Sequence, residues 1–346
     1  MNVALPAVTS IVALVLGVAL LDQWRRRHGS FQLAWAIGML FFGIGSGCEA
    51  IAAAGGWSDP VYRTWYLAGA VLTPAWLGLG TALLLAKTRF GYAYSVCFLL
   101  AGLFTLLTQA KYDYPESGPA GLLYLIAGIA LAVAIFAATY LGVQRWPRIA
   151  AIGVVGGTVL GLALVATATL LPGSFVDPAT DQPTATLFPG YLRLLTPFMN
   201  VTGAFSLLFG ALFSAYVFMP KRRVLDYSLD SNQPFDHFLF NLVIGVVAIT
   251  VNLVTSLPGA FRAWRQGTLH SRVGATILIA LGAFVAAAGD TLNRVGITSP
   301  FAVAKLIAAV LLLWGFLVSI DAFADIRIPF TSIRLSRERT ERGSAG

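Results

Sequence analysis

The feature that most constrains this chain is a succession of apolar runs, each about 20 residues long, separated by short polar connections. A helix of that length spans the hydrocarbon core of a bilayer, and inside lipid it satisfies its own backbone hydrogen bonds. The sequence therefore predicts an all-α integral membrane protein, a polytopic bundle of nine or ten transmembrane helices. The candidate segments are 2–21, 31–55, 62–86, 91–109, 119–142, 149–172, 191–219, 237–257, 272–290 and 299–321.

Composition argues against a water-soluble fold. Of the 346 residues, 58% are hydrophobic and 11% are charged, whereas soluble domains carry about 25% charged residues. A soluble domain of this size has too little interior to hide so much apolar surface. We therefore expect a single transmembrane helical domain over 1–326, followed by a basic, disordered tail over 327–346.

The basic residues lie in short clusters between alternate apolar runs, at 25–27, 87–89, 145–148 and 221–223. A formal charge of +8 is also typical of proteins that bind nucleic acid, but clusters in short loops are typical of membrane topology. The pattern predicts a multi-pass protein of the cell membrane. Its N terminus lies outside, the basic loops and the C-terminal tail lie in the cytoplasm, and nucleic acid is not a partner.

Segment 237–257 breaks this alternation. If it spans the membrane, then Arg262, Arg265 and the basic tail all lie outside. A re-entrant or interfacial segment ending near Pro258 would restore the rule and give nine spans. Ten spans would require two exceptions, so the sequence leaves both numbers open and slightly favours nine.

Two parts of the chain resemble each other at an offset of about 240 residues. Residues 23–25 correspond to 263–265, and Glu49 corresponds to Asp290. We expect repeat units over 1–86 and 237–321, whose hairpins 31–86 and 272–321 have similar folds. Ten spans would make the two units inverted, as in many secondary transporters, whereas nine would make the hairpins parallel.

Glu49 is the most conspicuous polar residue in the apolar runs. An ionised side chain there costs roughly 2.5–3.5 kcal/mol on insertion scales, and a short carboxylate cannot reach the interface. Glu49 is therefore expected either to bind a proton or a cation, or to be a neutral packing residue. Arg63 or Arg294 is the expected partner if Glu49 is charged.

Asp290 and Lys305 flank the short connection 291–299. We expect them to pair across it, which would offset much of the cost of burying Lys305, or else to reach the interface separately. Three polar amides lie within other apolar runs, where they could join helices or line a cavity. They complete the candidate ligand- or ion-binding residues: Asn200, Asn241 and Asn252.

Small residues and one proline predict local helix geometry. Gly43 and Gly47 form a face that lets a neighbouring helix approach closely, so we interpret them mainly as packing residues. Pro74 lies within segment 62–86 and predicts a kink near Thr73.

The sequence contains no motif of a nucleotide, metalloprotease or hydrolase site, so no catalytic residue is assigned and enzyme activity is not favoured. His28, His237 and His270 are too far apart to predict a metal ion or haem, and no cofactor is expected. The leading hypothesis is a transporter or permease-like protein for a small solute or ion. The alternatives are a membrane sensor or an accessory or scaffold subunit, and then a lipid-modifying membrane enzyme. The expected partners are the lipid bilayer and either a protein partner or a second copy of the chain.

Overall fold

The structure is a computed structural model, and it describes residues 3–142, 145–178, 181–228, 234–294, 301–318, 326–327 and 334–335. Over these residues the chain is mostly helical, with only short strands besides, which confirms the all-α prediction. The helices are α1 (Ala4–Arg27), α2 (Ser30–Gly55), α3 (Asp59–Trp65), a π-helix (Tyr66–Leu72), α4 (Thr73–Leu84), α5 (Gly91–Lys111), α6 (Ala120–Tyr140), α7 (Trp146–Thr167), α8 (Gly190–Arg193), α9 (Leu195–Phe218), α10 (Phe235–Arg265), α11 (Ser271–Arg294) and α12 (Phe301–Val318).

In the part of the chain that the structure describes, nine helices are long and apolar enough to cross a membrane. They match nine of the ten predicted segments. The tenth, 272–290, corresponds to α11, which contributes a shorter apolar stretch over Arg272–Ala286. Broad rows of large apolar side chains on α6 and α7 remain exposed, which suits a lipid solvent and not water. These findings agree with a multi-pass membrane protein.

Six helices pack as a closed ring, and three more helices pack beside it. Helix α1 packs against α2, α2 against α4, α4 against α9, α9 against α11, α11 against α12, and α12 returns to α1. Helix α5 packs against α9 and α6, and α7 packs against α4 and α6. Helix α9 therefore joins the two halves of the bundle.

Glycines set the closest approaches of α2. A Cβ atom on Gly43 would lie 2.6 Å from the side chain of Leu14 on α1, and the Ser10 hydroxyl donates a hydrogen bond of 2.8 Å to the Gly43 carbonyl. These contacts confirm the packing role of this small-residue face. Gly45 faces the other way, toward the π-helix, where a Cβ atom would lie 2.7 Å from the Cα of Gly69.

The segment that carries Pro74 is distorted, as the sequence predicts. The distortion takes the form of the π-helix Tyr66–Leu72, which lies immediately before Thr73 and Pro74. Proline lacks an amide hydrogen and crowds the preceding turn, which disfavours regular α-helical bonding there. The Thr73 hydroxyl donates a hydrogen bond of 2.8 Å to the Ala68 carbonyl within this widened turn.

We call the side of the bundle that carries residues 25–27, 87–89, 145–148 and 221–223 the basic end. Contacts between successive helices place these clusters together. The Trp146 indole donates a hydrogen bond of 3.2 Å to the Ala86 carbonyl, and the rings of Phe90 and Phe213 are 5.9 Å apart. At the same end, Trp35 of α2 contacts Phe316 of α12 at 4.8 Å between ring centroids.

Helix α10 does not run parallel to the bundle. Near its start, Phe238 packs against Tyr140 at 4.9 Å and Tyr92 at 5.4 Å, which belong to the basic end. Near its other end, the Ser256 hydroxyl accepts a hydrogen bond from the amide of Arg222, four residues after α9 ends. Both ends of α10 therefore lie at the basic end, and the helix runs across it.

This geometry bears on the alternatives for segment 237–257, which were a membrane span and a re-entrant or interfacial segment. A re-entrant turn is wrong, since α10 is one continuous helix of 31 residues that includes Pro258. The interfacial alternative fits, because about 27 Å of helix separates Phe238 from Ser256 at a rise of 1.5 Å per residue. A helix that crossed the membrane would place those two residues at opposite ends of the bundle.

The two hairpins run in the same direction. Val273 at the start of α11 packs with Met219 at the basic end, and Phe316 near the end of α12 returns there. The hairpin of α2 with α3 and α4 also begins and ends at the basic end. The first helices of the proposed units differ, since α1 packs along α2 whereas α10 lies across the basic end. Similarity of the hairpins themselves stays a prediction.

Two short ladders complete the described structure. Strand β1 (Val176–Asp177) pairs with β2 (Gln182–Pro183) in the connection before α8. Strand β3 (Ile326–Arg327) pairs with β4 (Arg334–Leu335) at the start of the predicted tail. The remaining tail residues lie outside the described part, so the predicted character of 327–346 stays a prediction.

Candidate functional site

The central feature of the candidate site is an ion pair between Glu49 of α2 and Lys305 of α12. The Lys305 ammonium donates a hydrogen bond to Glu49 Oε1. The exposed fraction is 6% for the Glu49 side chain and 22% for the Lys305 side chain. The site therefore holds a nearly buried carboxylate and a partly exposed ammonium. It lies toward the end of the bundle opposite the basic end.

Two aromatic residues contact this pair directly. The Trp65 indole donates a hydrogen bond of 2.8 Å to the same Glu49 oxygen that binds Lys305. The Phe301 ring lies 4.3 Å from the Lys305 ammonium, one turn earlier on α12. An indole donor stabilises the charged carboxylate, and an aromatic face stabilises a cation.

The local helix geometry explains why these side chains meet. Gly45 and Glu49 are four residues apart, so they share one face of α2. Gly45 contacts the π-helix at Gly69, and Glu49 therefore faces the turn that ends in Trp65. Helix α12 packs against α1, which brings Lys305 beside α2. The close approach at Gly45 is thus a condition for the hydrogen bond from Trp65.

An aromatic cluster lies beside Trp65, against the connection that precedes α8. Tyr62 stacks on Trp65 at 5.7 Å and on Phe188 at 5.0 Å, and its hydroxyl donates a hydrogen bond of 2.7 Å to the Thr184 carbonyl. Phe188 also contacts Tyr66 at 4.3 Å. The connection around residues 184–188 is fastened to α3 in this way, and it covers the cluster.

Arg63 has a structural role, and the expectation that it pairs with Glu49 is wrong. Its guanidinium group pairs with Asp59 at 2.8 Å and donates a hydrogen bond of 2.9 Å to the Ala168 carbonyl. It also donates to the Val165 carbonyl, so it caps the last turn of α7. Sequence proximity to Glu49 suggested this partner, but the direction of α3 turns Arg63 toward α7.

The structure gives Lys305 a different partner from the one that the sequence suggested. The short connection favoured Asp290, whereas the ammonium binds Glu49 on a helix far away in the sequence. The Asp290 and Arg294 side chains lie outside the described part of the structure. Contact of Asp290 with Lys305, and of Arg294 with Glu49, therefore stays a prediction.

The three candidate asparagines do not join this site. Asn252 is fully buried on α10, where its side-chain oxygen Oδ1 accepts hydrogen bonds from the backbone amides of Val224 and Leu225 at 2.7 and 3.0 Å. Asn241 lies near the start of α10. Asn200 lies on α9, and its buried Oδ1 has no hydrogen-bond partner among the residues that the structure describes.

Trp65 and Phe301 are the site residues that the sequence analysis did not single out. The aromatic-rich stretch over 57–66 was a usable signal for Trp65, because a buried indole needs an acceptor. Phe301 stands four residues before Lys305, which is one helix turn. Within the described ranges, no group of three or more His, Cys, Asp or Glu side chains could hold a metal ion.

The chemistry available at this site is charge exchange. Glu49 can exchange the Lys305 ammonium for another cation or a proton, and Lys305 can then bind an anionic group or water. Among the described residues, the contacts of the pair are an ion pair, an indole donor and an aromatic face, which suit the binding of charged groups. Comparison of the chain with protein-family models, with curated proteins and with solved structures gives no match.

Proposed function

We propose that this protein is a transporter for a small solute or ion, and that the Glu49–Lys305 pair is its charge switch. The observation that carries the proposal is a nearly buried ion pair that links α2 to α12. A buried pair adds little net stability compared with apolar residues of similar size, so it is a poor choice for packing alone. Ionisable groups inside a membrane are commonly part of an ion or substrate path.

The transport step follows from the charges of the pair. A cation or proton that binds Glu49 releases the Lys305 ammonium, whose side chain is the more exposed of the two. The loss of this contact removes one link between α2 and α12. Because α2 belongs to the first hairpin and α12 to the second, the release favours relative movement of the two hairpins.

The proposal includes an orientation. The basic end faces the cytoplasm, the N terminus lies outside, and the Glu49–Lys305 pair lies in the outer half of the membrane. The support is the distribution of Lys and Arg among the connections. With α10 across the basic end and α11 counted as a span in its place, nine spans remain and the tail is cytoplasmic, so Arg262, Arg265 and the basic tail agree with the charge rule.

The test measures ion flux in proteoliposomes of the full chain. A pH gradient, a sodium gradient and a potassium gradient are imposed in turn, and their decay is followed with ion-sensitive dyes. We expect one gradient to decay faster than in protein-free liposomes. Glu49→Gln should abolish this excess flux, whereas the matched variant Asp22→Asn, which removes the exposed pair with Arg26, should preserve it.

The refuting result is specific. Normal flux in Glu49→Gln would remove Glu49 from the transport path. If wild-type protein moves none of these ions and no small charged solute in the same assay, the role of a membrane sensor or accessory subunit is favoured instead. The exposed apolar rows on α6 and α7 would then be the first surfaces to test for a protein partner or a second copy of the chain.

A further inference from the structure

Helix α10 carries two opposite faces, which together define its environment. The face toward the protein holds buried, small or polar residues that include Ala248, Asn252, Ser256 and Ala260. The opposite face carries exposed large apolar side chains at helical spacing. This apolar stripe consists of Phe240, Val243, Val247, Val254, Leu257, Phe261 and Trp264.

The polar face is covered by the extended segment 220–228, which we call the strap. The Asn252 amide donates a hydrogen bond of 2.8 Å to the Leu225 carbonyl and accepts bonds from two strap amides, and Ser256 accepts one from Arg222. Most strap residues are exposed. The strap therefore covers the polar face of α10, and the apolar stripe points away from it.

The charges around α10 are unevenly distributed. Its C-terminal half carries Arg262 and Arg265, and the basic part of the strap, 221–223, is bonded beside Ser256. The acidic residue Asp236 lies in the first turn of α10, and Asp226 follows Leu225, which is bonded to Asn252 near the middle of the helix. An apolar stripe with a cationic end is the pattern of a helix that lies in the plane of a membrane containing anionic lipid.

We propose that α10 is an interfacial helix that rests in the leaflet at the basic end and binds anionic phospholipid headgroups through its C-terminal half. The apolar stripe enters the boundary between headgroups and acyl chains. The strap separates the polar face from bulk water, and Arg262 and Arg265 contact lipid phosphates. This inference does not depend on the transport proposal, because it concerns the other end of the bundle.

The first test determines whether both ends of α10 lie on one side of the membrane. Single cysteines replace His237 or Gln266 in the full chain. Each variant is placed in sealed vesicles, which are treated with a maleimide that cannot cross the membrane. Cysteines at His28 and Asp113 mark the basic and the opposite end, and the buried native Cys48 and Cys97 give the background. We expect positions 237, 266 and 28 to react from one side. Reaction of 237 and 266 from opposite sides overturns the proposal.

The second test measures depth and lipid preference. Spin labels at Val247 and Phe261 are compared in nanodiscs of phosphatidylcholine alone or with phosphatidylglycerol, using collision with oxygen and with a water-soluble nickel complex. A label at the lipid-facing Leu123 of α6 is the control. We expect the stripe labels to lie about 5–10 Å below the headgroups, and deeper with phosphatidylglycerol.

The arginines provide the specific variant. Arg262→Gln with Arg265→Gln should remove the difference between the two lipid mixtures at Phe261 and leave the Leu123 label unchanged. Stripe labels that collide with the nickel complex as freely as a water-exposed residue would show that the stripe faces water, and they would overturn the proposal. Equal depth in both mixtures would reject the binding of anionic headgroups.

Discussion

The strongest quantitative prediction concerns the Glu49–Lys305 pair. Removing one partner of a buried ion pair costs about 3–5 kcal/mol, because the other charge is left buried without compensation. Glu49 is more buried than Lys305, with 6% against 22% of the side chain exposed. Lys305→Met leaves the more buried charge behind. It should therefore destabilise the protein more than Glu49→Gln does, and Glu49→Gln should lie near the lower limit of about 3 kcal/mol.

The double variant measures the interaction itself. Glu49→Gln combined with Lys305→Met leaves no charge at the site, so much of the loss should be recovered. We expect a coupling of about 2–3 kcal/mol, at the upper part of the range for groups in contact. Unfolding in mixed detergent micelles, followed by circular dichroism while the proportion of sodium dodecyl sulfate is raised, gives the four free energies of unfolding.

The control is the more exposed pair of Asp22 and Arg26, whose side chains are 16% and 34% exposed and which stand one turn apart on α1. A pair of this kind contributes about 0.3–0.5 kcal/mol, so its cycle should show little coupling. Coupling below about 0.5 kcal/mol between Glu49 and Lys305 would refute the reasoning. The two residues would then be separate groups at an interface, and the proposed charge switch would lose its basis.

The remaining predictions test the surroundings of the pair and the helix contacts. Trp65→Phe removes the indole donor to Glu49 and should cost about 1.5–3 kcal/mol, the range for a hydrogen bond to a charged group; the same unfolding assay checks it, and a neutral result would contradict the bond. Gly203→Ala forces a methyl group into the backbone at Pro74 and should destabilise the protein by about 1–3 kcal/mol. Gly156→Ala has open space and should be neutral or stabilising, and an equal loss in both variants would argue against the close contact of α9 with α4. Asn252→Ala leaves strap amides without their acceptor and should speed proteolysis in 220–234, and unchanged cleavage would contradict the role of Asn252 in holding the strap.

The spans were predictable because lipid imposes a length and a composition on each helix. Segment 191–219 corresponds to Gly190–Phe218, and 62–86 corresponds to Asp59–Leu84. The least accurate boundary belongs to 237–257, since the sequence analysis ended it at Pro258 whereas α10 continues to Arg265. Pro258 removes the amide that would bond to the Val254 carbonyl, but it does not end α10, which continues to Arg265.

The partner of Glu49 was not predictable from local patterns. Sequence neighbours suggested Arg63, and hairpin geometry suggested Asp290 for Lys305. The observed pair joins residues of α2 and α12, and it depends on how α12 packs beside α1. Such a contact follows from tertiary packing, and a single sequence contains no direct signal for it. Glu49 and Lys305 were each identified because a charge in an apolar run is costly, and that argument does not indicate which charges meet.

The π-helix Tyr66–Leu72 affects the site through the way it turns the chain, independently of the side chains that it carries. A π-helix closes hydrogen bonds over five residues, so Tyr66–Leu72 holds more chain per turn than an α-helix would. If the same seven residues formed a regular α-helix, each would turn by about 100°, more than in the wider π-turn, and everything before them would be rotated relative to α4. Trp65 would then point away from Glu49 although both residues were still present. The phase of α3 relative to α4, set within seven residues, thus determines whether the carboxylate keeps its indole donor.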